Sequence, residues 1–134
     1  MNDKEHTLAG KTILLVEDDE LISKMYSKRF SANGACVLVA FDGTQGLKIL
    51  ENQKVDLILL DLGMPGMDGY EMFRKIKADE RVKDTPIVIL SNTTMNEKRE
   101  EFQEIINMGV KDIFRKYELS LDDLMKQLQH YFTS

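Results

Sequence analysis

The stretch Leu57-Ile58-Leu59-Leu60-Asp61-Leu62-Gly63-Met64-Pro65-Gly66-Met67-Asp68-Gly69 decides the fold. Its first four residues are bulky and apolar, which is typical of a strand that is buried on both faces in a parallel sheet. The apolar run stops at a carboxylate, and the Gly- and Pro-containing segment after it predicts a shaped loop. Asp61 is therefore predicted at the carboxyl end of a central strand, where open α/β sheets place their ligand sites.

Outward from this stretch, short apolar runs alternate with amphipathic segments along the whole chain. The apolar runs predict five strands, at residues 12–16, 35–40, 55–60, 87–90 and 111–115. The amphipathic segments predict five helices, at about residues 20–33, 42–52, 69–78, 96–108 and 120–132. Strict alternation of strands and helices predicts an α/β fold with a doubly wound, five-stranded parallel sheet, helices on both faces and the flavodoxin-like strand order 2-1-3-4-5.

Composition indicates a single ordinary globular domain of 134 residues, with 43% hydrophobic and 31% charged residues. Residues 1–10 are predicted to be a poorly ordered lead-in, and residues 11–134 the domain. No apolar run approaches a membrane span or a signal peptide, which predicts a cytoplasmic protein without membrane insertion. The net charge of −5 argues against direct nucleic-acid binding. Cys36 lies in an apolar run and is expected to be buried.

A second acidic cluster ends the first predicted strand, where Glu17 and Asp18 follow Val16. In the predicted strand order, strands 1 and 3 are neighbours, so these two carboxylates should converge on Asp61. Carboxylates about 5 Å apart repel each other by about 3 kcal/mol at an effective dielectric near 20. Either one of them takes up a proton, or a cation binds between them. Mg²⁺ suits such oxygen ligands, and the small Gly63 would let a backbone carbonyl approach it.

Two further strand ends carry groups that complement a phosphoryl group. Ser91 follows strand 4 and could donate its hydroxyl, and Lys116 follows strand 5 and could place an ammonium there. Each residue also has a simpler interpretation. Ser91 could hydrogen-bond the backbone of its loop, Lys116 could be a solvated surface lysine, and Asp61 could cap its loop. The joint placement of these groups at the ends of neighbouring strands favours a phosphoryl site.

Over about residues 11–133 the chain resembles the receiver domain of response regulators in two-component phosphorelays, of the stand-alone single-domain type. The segment from Asp61 to Gly69 follows the D-x-x-M-P-x-x-D-G loop of that family, and Glu17 with Asp18 fits its acidic pair after strand 1. The resemblance implies that Asp61 is the phosphoacceptor. It also implies a Mg²⁺ ion held directly by Asp18 and Asp61, by the backbone carbonyl of Gly63 and, through water, by Glu17.

The same resemblance assigns Ser91 to the conserved hydroxyl position and Lys116 to the conserved lysine, both as phosphoryl-binding residues. The sequence departs from the family pattern nearby. Tyr117 follows the lysine where proline is usual, and Asn92 follows Ser91 where a small residue is usual. Ile113 stands where the family often has a switch Tyr or Phe.

The predicted switch region comprises four residues of the fourth and fifth strand ends, namely Asn92, Thr93, Ile113 and Phe114. Phe114 adjoins the position of the usual switch aromatic. Thr93 and Gly63 occupy positions that tune dephosphorylation in the family.

The resemblance implies a signalling protein, not an enzyme that turns over an external substrate. Its expected partners are a histidine kinase or histidine phosphotransfer protein, and a downstream protein target reached through helix 4, strand 5 and helix 5. The expected oligomeric state is a monomer or a phosphorylation-dependent dimer. One alternative is a receiver-like interaction module that does not cycle phosphate. A Mg²⁺-dependent phosphohydrolase is disfavoured, because Gly63 stands where a general acid would be needed.

Overall fold

The computed structural model describes residues 7–63, 69–91, 99–116, 118 and 120–133. The strands are β1 Thr12–Val16, β2 Cys36–Ala40, β3 Leu57–Asp61, β4 Ile87–Ser91 and β5 Asp112–Arg115. The helices are α1 Glu20–Ala32, α2 Gly43–Asn52, α3 Gly69–Lys77, α4 Arg99–Met108 and α5 Leu121–Thr133. The predicted alternation of strands and helices is confirmed.

All four strand pairs are parallel, and the strand order is β2-β1-β3-β4-β5. The predicted doubly wound, flavodoxin-like fold is therefore confirmed. Val16 pairs with Leu60 across β1 and β3, so the residues that follow these two strands emerge side by side. The central position of β3 explains why its five residues are all buried, Asp61 included.

Each face of the sheet carries its own hydrophobic core, because successive side chains of a strand point to opposite faces. On one face, Leu14, Ile58 and Leu60 pack with residues of α2, α3 and α4. On the other face, the alternate strand residues pack with α1 and α5, whose buried members include Tyr26, Phe30, Leu124 and Leu128. The two helical layers leave the carboxyl ends of the strands at one edge of the domain.

Helix ends follow the local chemistry of the chain. Asp19 Oδ1 accepts a hydrogen bond from the Ile22 amide at 3.0 Å, and Asp42 Oδ1 accepts one from the Gln45 amide at 2.8 Å. Gly34 follows α1 with a φ of +97°, a conformation that glycine adopts without strain. Helix α4 ends at Met108, as predicted, whereas its predicted start at residue 96 lies outside the described residues.

Two apolar side chains of α1 are exposed, as is one residue of β2 that the sequence predicted to be buried. Leu21 and Met25 are 69% and 48% exposed, because α1 turns Ser23, Tyr26 and Phe30 toward the sheet instead. Cys36 is also exposed. It is the first residue of β2, and β2 is an edge strand that is covered by a neighbouring strand on one side only.

The packed unit begins before the predicted boundary at residue 11. Leu8 is fully buried, and its amide donates to the Asn33 carbonyl at 2.9 Å. The Gln129 side chain donates to Thr7 Oγ1 at 2.9 Å. Residues 7 and 8 therefore contact the end of α1 and the last turns of α5, and Leu8 belongs to the core on that face.

None of the helices in the described part of the chain combines the length and apolarity that crossing a bilayer requires.

Candidate functional site

Three carboxylates converge at the carboxyl edge of the sheet. Glu17 and Asp18 directly follow β1, and Asp61 is the last residue of β3. One oxygen from each carboxylate lies within 4.8 Å of the other two. Glu17 and Asp61 are buried, and Asp18 is exposed. The structure thus brings together the three acidic residues that the sequence placed at neighbouring strand ends.

Backbone amides orient the two buried carboxylates. The Asp19 amide donates to Glu17 Oε1 at 3.1 Å, and the Gly63 amide donates to Asp61 Oδ1 at 3.1 Å. Each amide belongs to the second residue after the carboxylate that it holds. The local turns after β1 and β3 therefore orient these two carboxylates through contacts within two residues of each.

Lys116 supplies a positive charge to the same site. Its side chain is only 4% exposed, and its Nζ forms an ion pair with Glu17 Oε2 and lies 3.3 Å from Asp61 Oδ2. Its amide donates to the Ser91 carbonyl at 2.9 Å, which ties the end of β5 to the end of β4. The interpretation of Lys116 as a solvated surface lysine is therefore wrong.

Burial and mutual charge shift the acid–base equilibria of this site. Burial, with a smaller effect of the neighbouring Asp61 charge, raises the pKa of Glu17 to about 6, although contact with Lys116 opposes the change. Burial likewise raises the pKa of Asp61 against the opposing effects of Lys116 and the Gly63 amide. Burial alone would lower the pKa of Lys116, but its contacts with Glu17 and Asp61 outweigh that effect and raise it.

The donor set fits a hard divalent cation such as Mg²⁺. Three carboxylates face one ammonium, so the site carries excess negative charge when its acids are ionised. Oxygen ligands from one or two carboxylates, completed by water, are the usual environment of Mg²⁺ in proteins. Asp18 and Gly63 are exposed, so solvent and a metal ion can reach the site at these two residues. The contribution of the Gly63 carbonyl stays a prediction.

Ser91 ends β4 beside this cluster and is buried. Its strand pairs with β3 so that Leu90 is opposite Asp61, and the Leu62 amide donates to the Leu90 carbonyl at 3.2 Å. Ser91 therefore follows the residue that is paired with Asp61. Its role toward a phosphoryl group stays a prediction. Asn92 and Thr93, which were assigned to the switch region, lie outside the described residues.

The sequence model of the response regulator receiver domain matches residues 13–129. This chain belongs to that family. Its sheet order is thus that of a two-component receiver domain.

Curated relatives of this receiver domain are longer than the region they share with it. The regulator of RpoS from Escherichia coli K12 is 32% identical over 109 residues, which are 81% of this chain and 31% of that protein. The phosphate regulon transcriptional regulatory protein PhoB from Pseudomonas aeruginosa is 35% identical over 109 residues, which are 81% of this chain and 46% of that protein. The chain therefore spans less than half the length of these two relatives.

Solved receiver domains match nearly the whole length of this one. The chemotaxis response regulator CheY4 of Vibrio cholerae is 30% identical with a TM-score of 0.78, covering 91% of this chain and 98% of that chain. The receiver domain of sensor histidine kinase PA1611 from Pseudomonas aeruginosa is 29% identical with a TM-score of 0.76, covering 94% and 100%. That structure has a magnesium ion coordinated in its active-site cleft.

Ile113 and Phe114 of the receiver domain lie on opposite faces of β5. Ile113 packs with the core that contains α3 and α4, and Phe114 packs with the core that contains α1 and α5. Phe114 therefore cannot replace an aromatic side chain at the position of Ile113 without crossing the sheet. Tyr117 and its peptide bond with Lys116 lie outside the described residues.

Sequence reasoning missed two residues that bear on this site. One is Tyr26 of α1, where burial, with a smaller effect of the Glu17 and Asp61 charges, raises the pKa of the phenol against the opposing effect of the Lys116 charge. Its position two turns into α1 was a usable signal, because helical side chains lean toward the helix N-terminus, which here faces the site.

Gly69 is the second missed residue. A Cβ there would lie 2.3 Å from the Asp61 carbonyl oxygen and 2.5 Å from Leu62 Cα. The glycine that ends the motif is therefore required because the start of α3 closely approaches the end of β3.

Proposed function

We propose that this receiver domain takes a phosphoryl group onto Asp61 from a histidine kinase or a histidine phosphotransfer protein, and that the transfer switches a protein-interaction surface. One observation carries the proposal. Asp61 has a carboxylate oxygen within 4.8 Å of oxygens of Glu17 and Asp18, and its Oδ2 lies 3.3 Å from the Lys116 ammonium. A structural ion pair alone would not need three carboxylates.

Phosphoryl transfer would form a bond between an Asp61 carboxylate oxygen and phosphorus while the bond from phosphorus to the donor imidazole nitrogen breaks. The imidazole leaves with the electron pair of that bond and is protonated from solvent. Asp18, Asp61 and the Gly63 carbonyl would hold Mg²⁺ directly and Glu17 would hold it through water. When bound, the ion would supply positive charge against the phosphoryl oxygens. Catalysis of this kind rests mainly on positioning and electrostatic stabilisation.

The protein's own side chains and amides would orient the phosphoacceptor and neutralise the phosphoryl oxygens. The Gly63 amide keeps the Asp61 carboxylate in one orientation. Lys116 would exchange its ion pair with Glu17 for a contact with a phosphoryl oxygen, whose charge it would neutralise. Ser91 would donate its hydroxyl to another phosphoryl oxygen and draw the end of β4 inward. Hydrolysis, in which water breaks the bond between phosphorus and the Asp61 oxygen, would restore the carboxylate.

The output of the switch would pass through the surface formed by α4, β5 and α5. Its target is then a protein, and the domain acts in the cytoplasm as a monomer or as a dimer that forms on phosphorylation. Lys111 and Arg115, at the two ends of β5, are exposed cations of this surface that a partner could contact.

Acetyl phosphate with Mg²⁺, followed by intact-mass measurement, tests this function. The wild-type chain should gain the mass of one phosphoryl group, and Asp61→Asn should gain none. Asp84→Asn is the matched control, since Asp84 is an exposed carboxylate in the loop before β4, at the other end of the sheet. Adduct on Asp61→Asn, or none on the wild-type chain, would refute the assignment of the phosphoacceptor.

The replacement of the usual switch aromatic by Ile113 favours one other function, a receiver-like interaction module that does not cycle phosphate. That module would show neither an adduct nor measurable Mg²⁺ affinity. Multiple turnover on small phosphate esters would instead identify a phosphohydrolase.

A further inference from the structure

A two-point ion pair connects α3 with α4. Arg74 on α3 places its Nε 3.1 Å from Glu104 Oε1 and its Nη2 3.3 Å from Glu104 Oε2. The same Nη2 lies 3.7 Å from Glu101 Oε1, one turn earlier on α4. A planar guanidinium that contacts both oxygens of one carboxylate fixes orientation as well as distance. We call the contacts of Arg74 with Glu101 and Glu104 the Arg74 fork.

Helix α3 is attached rigidly to the end of the strand that carries Asp61. The Gly69 amide donates to the Leu62 carbonyl at 3.2 Å, and the approach is so close that no side chain fits at Gly69. The helix then buries Tyr70, Met72, Phe73 and Ile76. Because of this anchoring, the position of Arg74 relative to Asp61 is set by well-packed structure.

Helix α4 buries fewer side chains than α3 in the described part of the chain. Its buried side chains in the described part of the chain are Phe102 and Ile105, whereas Ile106 and Met108 are 36% and 39% exposed. Elements with few buried apolar contacts are those that shift most readily. Glu101 and Glu104 adjoin this buried pair in the sequence, so the Arg74 fork adds a polar contact to the apolar ones that hold α4.

We propose that the Arg74 fork holds α4 in the position seen when Lys116 is paired with Glu17 and Asp61, and that it opposes the shift of α4 that accompanies phosphoryl capture. The proposal rests on the function proposed above. The fork acts as a brake on activation. Its strength sets the fraction of molecules in the activated arrangement, both before and after phosphorylation. Its residues touch neither the phosphoacceptor nor the acidic cluster, so the effect is conformational.

Binding of beryllofluoride with Mg²⁺, measured by titration calorimetry, tests this brake. Arg74→Gln keeps most of the side-chain stem and removes the fork, so we expect roughly two- to fivefold tighter binding, the range that exposed ion pairs support. Glu104→Gln should give a smaller gain, because Arg74 keeps Glu101. The double variant should match Arg74→Gln alone. Amide hydrogen exchange in α4 should accelerate in Arg74→Gln before beryllofluoride is added.

Arg81→Gln is the control, since Arg81 also forms a surface ion pair, with Asp79 in the loop after α3, but this pair does not involve α4. It should leave both readouts unchanged. Unaltered affinity in Arg74→Gln and Glu104→Gln, or an equal change in Arg81→Gln, would overturn the brake while the wild-type chain still binds beryllofluoride. A wild-type chain that binds no more beryllofluoride than Asp61→Asn would instead overturn the proposed function itself, and the brake with it.

Discussion

Lys116 and Glu17 form an ion pair whose two side chains are 4% and 0% exposed. They come from strands that are not neighbours, since β3 and β4 lie between β1 and β5 in the sheet. The ammonium therefore reaches across the carboxyl edge of the sheet, past Asp61, to meet Glu17. This contact links the segments that follow the first and the last strand, and it balances part of the negative charge of the site.

Lys116→Met should destabilise the domain by about 3 kcal/mol, because removing one partner of a buried ion pair leaves the other charge uncompensated. Saturating Mg²⁺ should recover part of that loss, since a bound cation would take over the balancing charge. Urea denaturation with and without Mg²⁺ measures both effects. Lys48→Met, at an exposed position of α2, is the control. Equal unfolding free energies for the two variants would contradict the structural role of Lys116.

Mg²⁺ affinity should fall about tenfold between pH 7 and pH 5, because protons compete with the metal for Glu17, whose pKa is raised to about 6. Calorimetric titrations at four pH values measure this dependence. Glu17→Gln should bind more weakly at pH 7 and lose most of the dependence. A steep pH dependence that persists in Glu17→Gln would assign the competing proton to another group.

Without a divalent cation, the stability of the domain should show the opposite trend with pH. The native pKa of Glu17 lies above its ordinary value of 4.5, so the folded chain binds more protons than the unfolded chain in that window. The free energy of unfolding should therefore fall as the pH rises from about 4.5 to 6, by at most about 2 kcal/mol from this residue. Urea denaturation across this range in a chelating buffer checks the sign.

Gly69→Ala should cost about 3 kcal/mol of stability, because the added Cβ would overlap the Asp61 carbonyl oxygen and Leu62 Cα. Gly63→Ala is the matched control in the same loop. Among the described residues beyond its chain neighbours, the atom nearest to the added Cβ would be Asp61 Oδ1 at 3.9 Å, an ordinary contact, so the stability of this variant should change little. Thermal denaturation ranks the two variants, and comparable losses would show that the close approach is not what requires Gly69.

Leu8→Ala should cost about 3 kcal/mol, as do other fully buried leucines, although Leu8 precedes the first strand. Leu21→Ala makes the same chemical change at a position that is 69% exposed, and should alter stability by less than about 0.5 kcal/mol. Chemical denaturation of both variants checks the pair. Should Leu8→Ala prove as mild as Leu21→Ala, residues 7–10 would not be part of the core.

The candidate site was predictable to the extent that its residues sit at strand ends. An apolar run that stops at Asp61, and another that stops at Glu17, place two carboxylates once strands 1 and 3 are known to be neighbours. The burial of Lys116 was not predictable in this way. A lysine after a less apolar strand reads as solvent-exposed, and only the assembled sheet shows that Glu17 lies within its reach.

The sequence by itself determined the alternation of strands and helices and the central place of the Asp61 strand. These features depend on residues within a few positions of each other, so the local hydrophobic pattern predicts them. Only the tertiary structure decided that Leu8 is buried and that Leu21 and Cys36 are exposed. Exposure depends on which distant element covers a side chain, and no local pattern contains that information.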